Sequence, residues 1–105
     1  MTGRIAVITG AGSGIGRAVA LALAAKGYGL VLAGRRPDLL DRGVGEVEAA
    51  GGRALAVRTD VTDPQSVQAL FDTGVGRFGR IDMLFNNAGQ SAPDVALDEL
   101  SYEQW

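Results

Sequence analysis

Helices packed on both faces of a mostly parallel β-sheet, an α/β architecture, are what this 105-residue chain encodes. Short apolar runs alternate with stretches of helical periodicity from end to end, in the order β-α-β-α-β-α-β. That order forces crossover connections, which are right-handed in nearly all proteins and lay successive strands parallel. In addition, the first apolar run leads straight into Gly10, Gly12, Gly14 and Gly16, at the mouth of an Ala-rich helical stretch.

Each element has its own signal. Ile5–Thr9 is continuously apolar up to its final threonine, as a strand buried on both faces should be. A helix is expected from about Ile15 to Lys26, hydrophobic nearly all round, with Ile15, Val19, Ala22 and Leu23 as its apolar stripe. Lys26 suits the negative end of the helix dipole, and Gly27 can supply a left-handed cap. The second strand is 29–33, closed by Gly34-Arg35-Arg36-Pro37. A second helix over about Asp38 to Ala50 carries Leu40, Val44 and Val47 at helical spacing, despite Gly43 and Gly45 inside it. Gly51-Gly52 ends that helix, and 54–57 forms a third strand running out toward Asp60. Asp63-Pro64 pairs an acidic cap with a proline at the first helical position, and Val67, Leu70, Phe71, Val75 and Phe78 recur on one face behind it. Ile81–Phe85 is the fourth strand, ended by Asn86-Asn87-Ala88-Gly89, and 90–105 reads mostly as loop.

Composition narrows the function. A hydrophobic share of 47% supports one modest globular domain. The net charge is −2 and the basic residues are dispersed, so nucleic acid is not an expected partner. The chain has no cysteine and no histidine, which removes thiolate chemistry, zinc and the commonest general base. No metal site is expected. The longest apolar stretch, Ala18 to Ala25, is eight residues, far short of a membrane span, and the four-residue run behind Arg4 is too short for a signal peptide. A cytoplasmic protein without a membrane partner is the default expectation.

The glycine turn is the strongest functional signal. Glycine permits positive φ and lets a ligand approach where a Cβ would collide. The helix mouth behind it offers unpaired N–H groups and the positive dipole end to an anion. Its spacing, Gly10-x-x-x-Gly14-x-Gly16, does not meet G-x-G-x-x-G, and Arg17 stands where a P-loop would need its lysine and hydroxyl residue. A strand-to-helix connection without ligand would also use glycine, although four within seven residues favour a ligand. In dinucleotide folds an acidic residue about 20 positions on holds the ribose 2′-hydroxyl, whereas an arginine accommodates a 2′-phosphate. Here the second strand ends Ala33-Gly34-Arg35-Arg36, with no carboxylate before Asp38. Arg35 could grip a phosphate, or the two arginines could be an ordinary solvated turn.

Taken in order, Thr9-Gly10-x-x-x-Gly14-x-Gly16, Asp60-Val61 and Asn86-Asn87-Ala88-Gly89 resemble the N-terminal half of classical short-chain dehydrogenases/reductases. The likeness covers essentially the whole chain, and the three motifs together are far more specific than any one of them. It implies a Rossmann-type doubly wound sheet, strand order about 3-2-1-4, incomplete at four strands. It also implies that Gly10, Ser13, Gly14, Ile15 and Gly16 wrap a pyrophosphate and the adjacent ribose. Asp60 and Val61 would then bracket the adenine, the carboxylate accepting from its amino group, while Asn87, Ala88 and Gly89 line the cofactor's ribose side and brace the sheet. Family members using NAD usually carry an acidic residue where Gly34 stands, and those using NADP often place an arginine beside it. Gly34-Arg35 therefore implies NADP in preference to NAD, with Arg35 on the 2′-phosphate.

The resemblance implies hydride transfer between nicotinamide and an alcohol or ketone, with a Tyr acid/base whose pKa is lowered by a Lys four residues later, a Ser and an Asn. This sequence offers only Tyr28, Tyr102 and Lys26, so no catalytic residue is assigned and Asn86 and Asn87 stay with the cofactor motif. Ser101-Tyr102-Glu103-Gln104 has a capping-box pattern, and the fourth strand would be an open apolar edge. Both predict truncation, and together with the resemblance they imply that residues 1–105 are the N-terminal part of a dinucleotide-binding domain, cut before its catalytic half. The expected fragment binds cofactor without turnover, and its full-length form is a homo-oligomer. A non-catalytic NADP-binding or sensing module is the alternative, and a fragment that does not fold alone is a third reading.

Overall fold

The computed structural model describes residues 3–12 and 14–87. Its elements are β1 (Ile5–Thr9), α1 (Gly14–Ala25), β2 (Gly29–Gly34), α2 (Pro37–Ala49), β3 (Arg53–Arg58), α3 (Pro64–Phe78) and β4 (Met83–Asn86). The strands form one sheet in the order β3-β2-β1-β4, and every pairing is parallel. This is the Rossmann-type arrangement expected. Strand β4 stands at one edge of the described sheet, as expected, while the capping-box pattern at Ser101–Gln104 and the expected loop over 90–105 fall outside the described residues.

Strand alternation divides the interior into two layers. Ala6 and Ile8 of β1 join Leu30 and Leu32 of β2 beneath α1 and α2, with Ala20, Leu40 and Val47. Ile5 and Val7 join Val31, Ala33 and Leu84 on the opposite face, under Leu70 of α3. Both faces of β1 are therefore covered, which is why all five of its residues are buried.

Helix ends follow the sequence signals. Asp63 caps α3 by accepting from the Gln65 amide at 3.0 Å, with Pro64 behind it, and Gly79 closes the helix at φ 85°. Gly27 takes φ 90° after α1. Boundaries elsewhere move by a residue or so, α1 starting at Gly14 and α2 at Pro37.

Three expectations are corrected. Ile15 is 66% exposed, and Ala22 is exposed too, so they are not part of a buried stripe. The buried face of α1 is instead Gly16 and Ala20, flanked by Val19, Leu23 and Ala24, because small residues let the helix lie close to the sheet. Val75 is 47% exposed, and Gly74 takes the buried place on α3, where a Cβ would meet Val31 and Ile81 at 3.3 Å. Strand β4 begins at Met83, not Ile81. Asp82 supplies both partners of the Ile5 backbone: its amide donates to the Ile5 carbonyl, and its carboxylate accepts from the Ile5 amide, each at 2.8 Å. A side chain there replaces a rung of the strand ladder, so regular pairing starts one step later, at Ala6 and Met83.

Candidate functional site

The carboxyl ends of the strands converge on one open cleft of about 730 Å³, a size typical of small-ligand sites. Its floor begins where β1 gives way to the glycine turn. Gly10 sits at φ 63°, a left-handed conformation that favours glycine, and a Cβ there would press on Asn87 at 3.2 Å. Gly16 is buried behind the turn, where a Cβ would collide with the Gly10 carbonyl. Gly14 has open space on its Cβ side. These glycines thus do different jobs: Gly10 and Gly16 fold the turn tightly, and Gly14 keeps it bare. The Ala11 amide is taken by the Ala33 carbonyl at 3.2 Å, which ties the turn to β2. The Gly14 and Ile15 amides open α1 and so have no acceptor within the helix. Backbone donors at the positive end of a helix are groups that can hold an anion.

The opposite wall comes from β4. The Thr9 hydroxyl donates to Asn86 Oδ1 at 2.9 Å and accepts from the Asn87 amide at 2.9 Å. Being fully buried, this hydroxyl fixes Asn87 against the turn. The third wall is made where β2 and β3 end side by side, Gly34 opposite Arg58. The Thr59 amide donates to the Gly34 carbonyl at 2.7 Å, extending the pairing one residue and presenting Asp60 and Val61 to the cleft.

Asp60 is held ionised. Its Oδ1 accepts from the Thr62 hydroxyl at 2.6 Å and the Thr62 amide at 3.0 Å. The Thr62 hydroxyl is the main cause that keeps the carboxyl below its ordinary 3.8, followed by the Thr62 amide. Partial desolvation opposes them, and the charges of Arg35 and Arg58 add to the lowering. Arg35 Nη2 stands 3.9 Å from Asp60 Oδ2. Next to it, Arg36 pairs with Asp38 at 3.6 Å.

The structure thus brings Gly10, Gly14, Ile15, Arg35, Asp60, Val61 and Asn87 to one cleft. Gly16 lies beneath the turn and not on the cleft lining, and Ser13, Ala88 and Gly89 fall outside the described residues. Ile15, exposed and away from the core, is among the lining residues. Sequence reasoning missed Leu39, Leu40, Thr59 and Thr62 as lining residues. Thr62 carried a usable signal, since Asp-x-Thr is a common local turn in which the carboxylate bonds the backbone two residues on. Among the described lining residues the titratable groups are Arg35, Arg36 and Asp60, a set suited to gripping an anion and orienting a polar ring. Among all described residues no group of three potential metal ligands occurs, and no helix is long and apolar enough to cross a membrane.

Comparison with known proteins agrees with this geometry. The family model for short chain dehydrogenases matches residues 4–105. An uncharacterized oxidoreductase of Listeria monocytogenes is 41% identical over 102 residues, which is 97% of this chain and 41% of that protein. A 7α-hydroxysteroid dehydrogenase solved with NADH and 7-oxo glycochenodeoxycholic acid superposes with a TM-score of 0.82 at 38% identity, over 90% of this chain and 38% of that one. A metagenomic short-chain oxidoreductase solved with NADP gives 0.80 at 37% identity, over 85% and 40%. The chain therefore spans about two-fifths of the length of these relatives. With a model matched over nearly its full length and a cleft built from the same motifs, this chain belongs to the short-chain dehydrogenase family.

Proposed function

We infer that the cleft binds a nicotinamide dinucleotide, NADP in preference to NAD. The observation that carries this reading is the convergence of Gly14, Ile15, Arg35, Asp60, Val61 and Asn87 on one cleft, with no carboxylate at Gly34. In this reading the Gly14 and Ile15 amides hold the pyrophosphate, together with Ser13. Gly10 and Gly16 shape the turn. Asp60 accepts from the adenine amino group while Val61 covers the ring, and Asn87, Ala88 and Gly89 line the cofactor's ribose side. Arg35 meets the 2′-phosphate, where an acidic residue at position 34 would have repelled it. Bound there, the cofactor supplies a hydride donor or acceptor for an alcohol or ketone.

In this reading the chain is the N-terminal cofactor-binding part of a longer oxidoreductase, which its span of about two-fifths of its relatives supports, and the full-length form is cytoplasmic and homo-oligomeric. On its own it binds without turning over substrate. Calorimetric titration of the 105-residue chain with NADPH and NADH tests the reading, NADPH being expected to bind more tightly. Absence of binding by both would sink it, and equal binding would sink the preference. Substrate-dependent NADPH oxidation by the purified chain would overturn the expectation of inactivity.

A further inference from the structure

Arg17 and Glu46 form an ion pair that contributes poorly to folding and is well placed to do something else. Arg17 leaves the first turn of α1 and reaches across to α2, where its Nε stands 3.5 Å from Glu46 Oε1. Both atoms are sealed from solvent, and neither completes a hydrogen bond. Although those two atoms are sealed, the side chains as a whole are 24% and 41% exposed, and a partly solvated pair of this quality is weak evidence for stability. The same guanidinium donates from Nη2 to the Leu39 carbonyl at 3.4 Å. Arg17 therefore touches α2 at two points, its first turn and a position two turns further on, and fixes how that helix slides and rotates against α1.

The first turn of α2 is also what holds the arginines of the cleft. The Leu39 and Leu40 amides both donate to the Arg36 carbonyl at 3.1 Å. Leu39 lies over the glycine turn, 3.0 Å from where a Gly12 Cβ would stand, and Leu40 lies 3.3 Å from where a Gly34 Cβ would stand. Moving this turn moves the backbone of Arg36 and, one residue away, Arg35. We propose that the Arg17–Glu46 pair is a positioning device that sets α2 so that Arg35 and Arg36 discriminate for a ribose 2′-phosphate. The proposal rests on the dinucleotide reading of the cleft.

The test compares the 105-residue chain with its Arg17→Met/Glu46→Leu variant in three measurements: thermal melting, the backbone amide NMR spectrum, and calorimetric affinity for 2′,5′-ADP and 5′-ADP. The expected variant melts no lower than the parent, shifts the Arg35, Arg36 and Leu39 amide signals, and loses about tenfold affinity for 2′,5′-ADP while 5′-ADP binding is retained. A merely structural pair would lower the melting temperature or weaken both nucleotides alike, and either result overturns the proposal. Unmoved amide signals overturn it as well. Shifted variant amides beside a parent that binds neither nucleotide would sink the dinucleotide reading, and the proposal with it, whereas unmoved amides beside a parent that binds sink the proposal alone.

Discussion

Arg35 of the loop after β2 and Asp60 of the loop after β3 face each other across the mouth of the cleft, Nη2 to Oδ2 at 3.9 Å. The arginine side chain is 74% exposed, so the pair is loose and solvent-screened. It adds little to folding and leaves the guanidinium free to turn toward a phosphomonoester. Arg35→Ala should therefore leave the melting temperature nearly unchanged. NADPH affinity should fall about tenfold, with NADH affinity kept within about twofold. Calorimetry at low and high salt checks this, since the discrimination should shrink as screening rises.

Gly14 and Gly16 stand two residues apart and should respond oppositely to the same substitution. A Cβ at Gly16 would collide with the Gly10 carbonyl, backbone that cannot step aside, so Gly16→Ala should destabilise the fold by about 1–3 kcal/mol. Gly14 has no atom within 4 Å of its Cβ position, so Gly14→Ala should stay within about 1 kcal/mol of the parent. In the proposed binding mode its methyl would project toward the pyrophosphate, and dinucleotide affinity should fall about tenfold. Urea unfolding and titration on the two variants separate the roles.

What the sequence made legible is what is local. The glycine turn, Arg35, Asp60-Val61 and Asn87 each sit at the carboxyl end of a strand, and in a parallel sheet all such ends share one edge. Their convergence follows once the strand order is known. Leu39 and Leu40 were harder to place, because apolar residues at helical spacing read as core, and only the docking of α2 beside Gly12 and Gly34 brings them to the cleft. Ile15 and Val75 misled for a related reason. Periodicity gives the apolar stripe of a helix, but in α1 and α3 the closest approach to the sheet is made by Gly16 and Gly74, which carry no apolar signal. The late start of β4 was hidden because it depends on a side chain, Asp82, standing in for backbone.

Thr9 is apolar by position and polar by duty. Its buried hydroxyl joins the end of β1 to Asn86 and Asn87 after β4. Thr9→Val preserves shape and removes both bonds, leaving an amide and a side-chain oxygen without that partner. The expected cost is about 1–3 kcal/mol in chemical denaturation. Dinucleotide affinity should fall too, because Asn87 would no longer be held against Gly10.

Asp82 links acidity to stability. Its carboxyl lies below the ordinary 3.8, chiefly through hydrogen bonds from the Arg80 guanidinium and then from the Ile5 amide. Partial desolvation works against that lowering, and the charges of Arg80 and Arg4 reinforce it. A group whose folded pKa is depressed binds its proton more readily in the unfolded chain. Its stabilisation is therefore complete above the ordinary value and is lost as pH falls through the lower folded value. Asp60 titrates in the same direction, so the two together should make the chain weaken below about pH 4. Asp82→Asn should flatten that acid limb without altering the cleft, which lies at the other end of the strands. Urea midpoints measured from pH 2 to 7 check the sign: an unchanged acid limb in Asp82→Asn would mean that the clamp on Ile5 draws nothing from the carboxylate's charge.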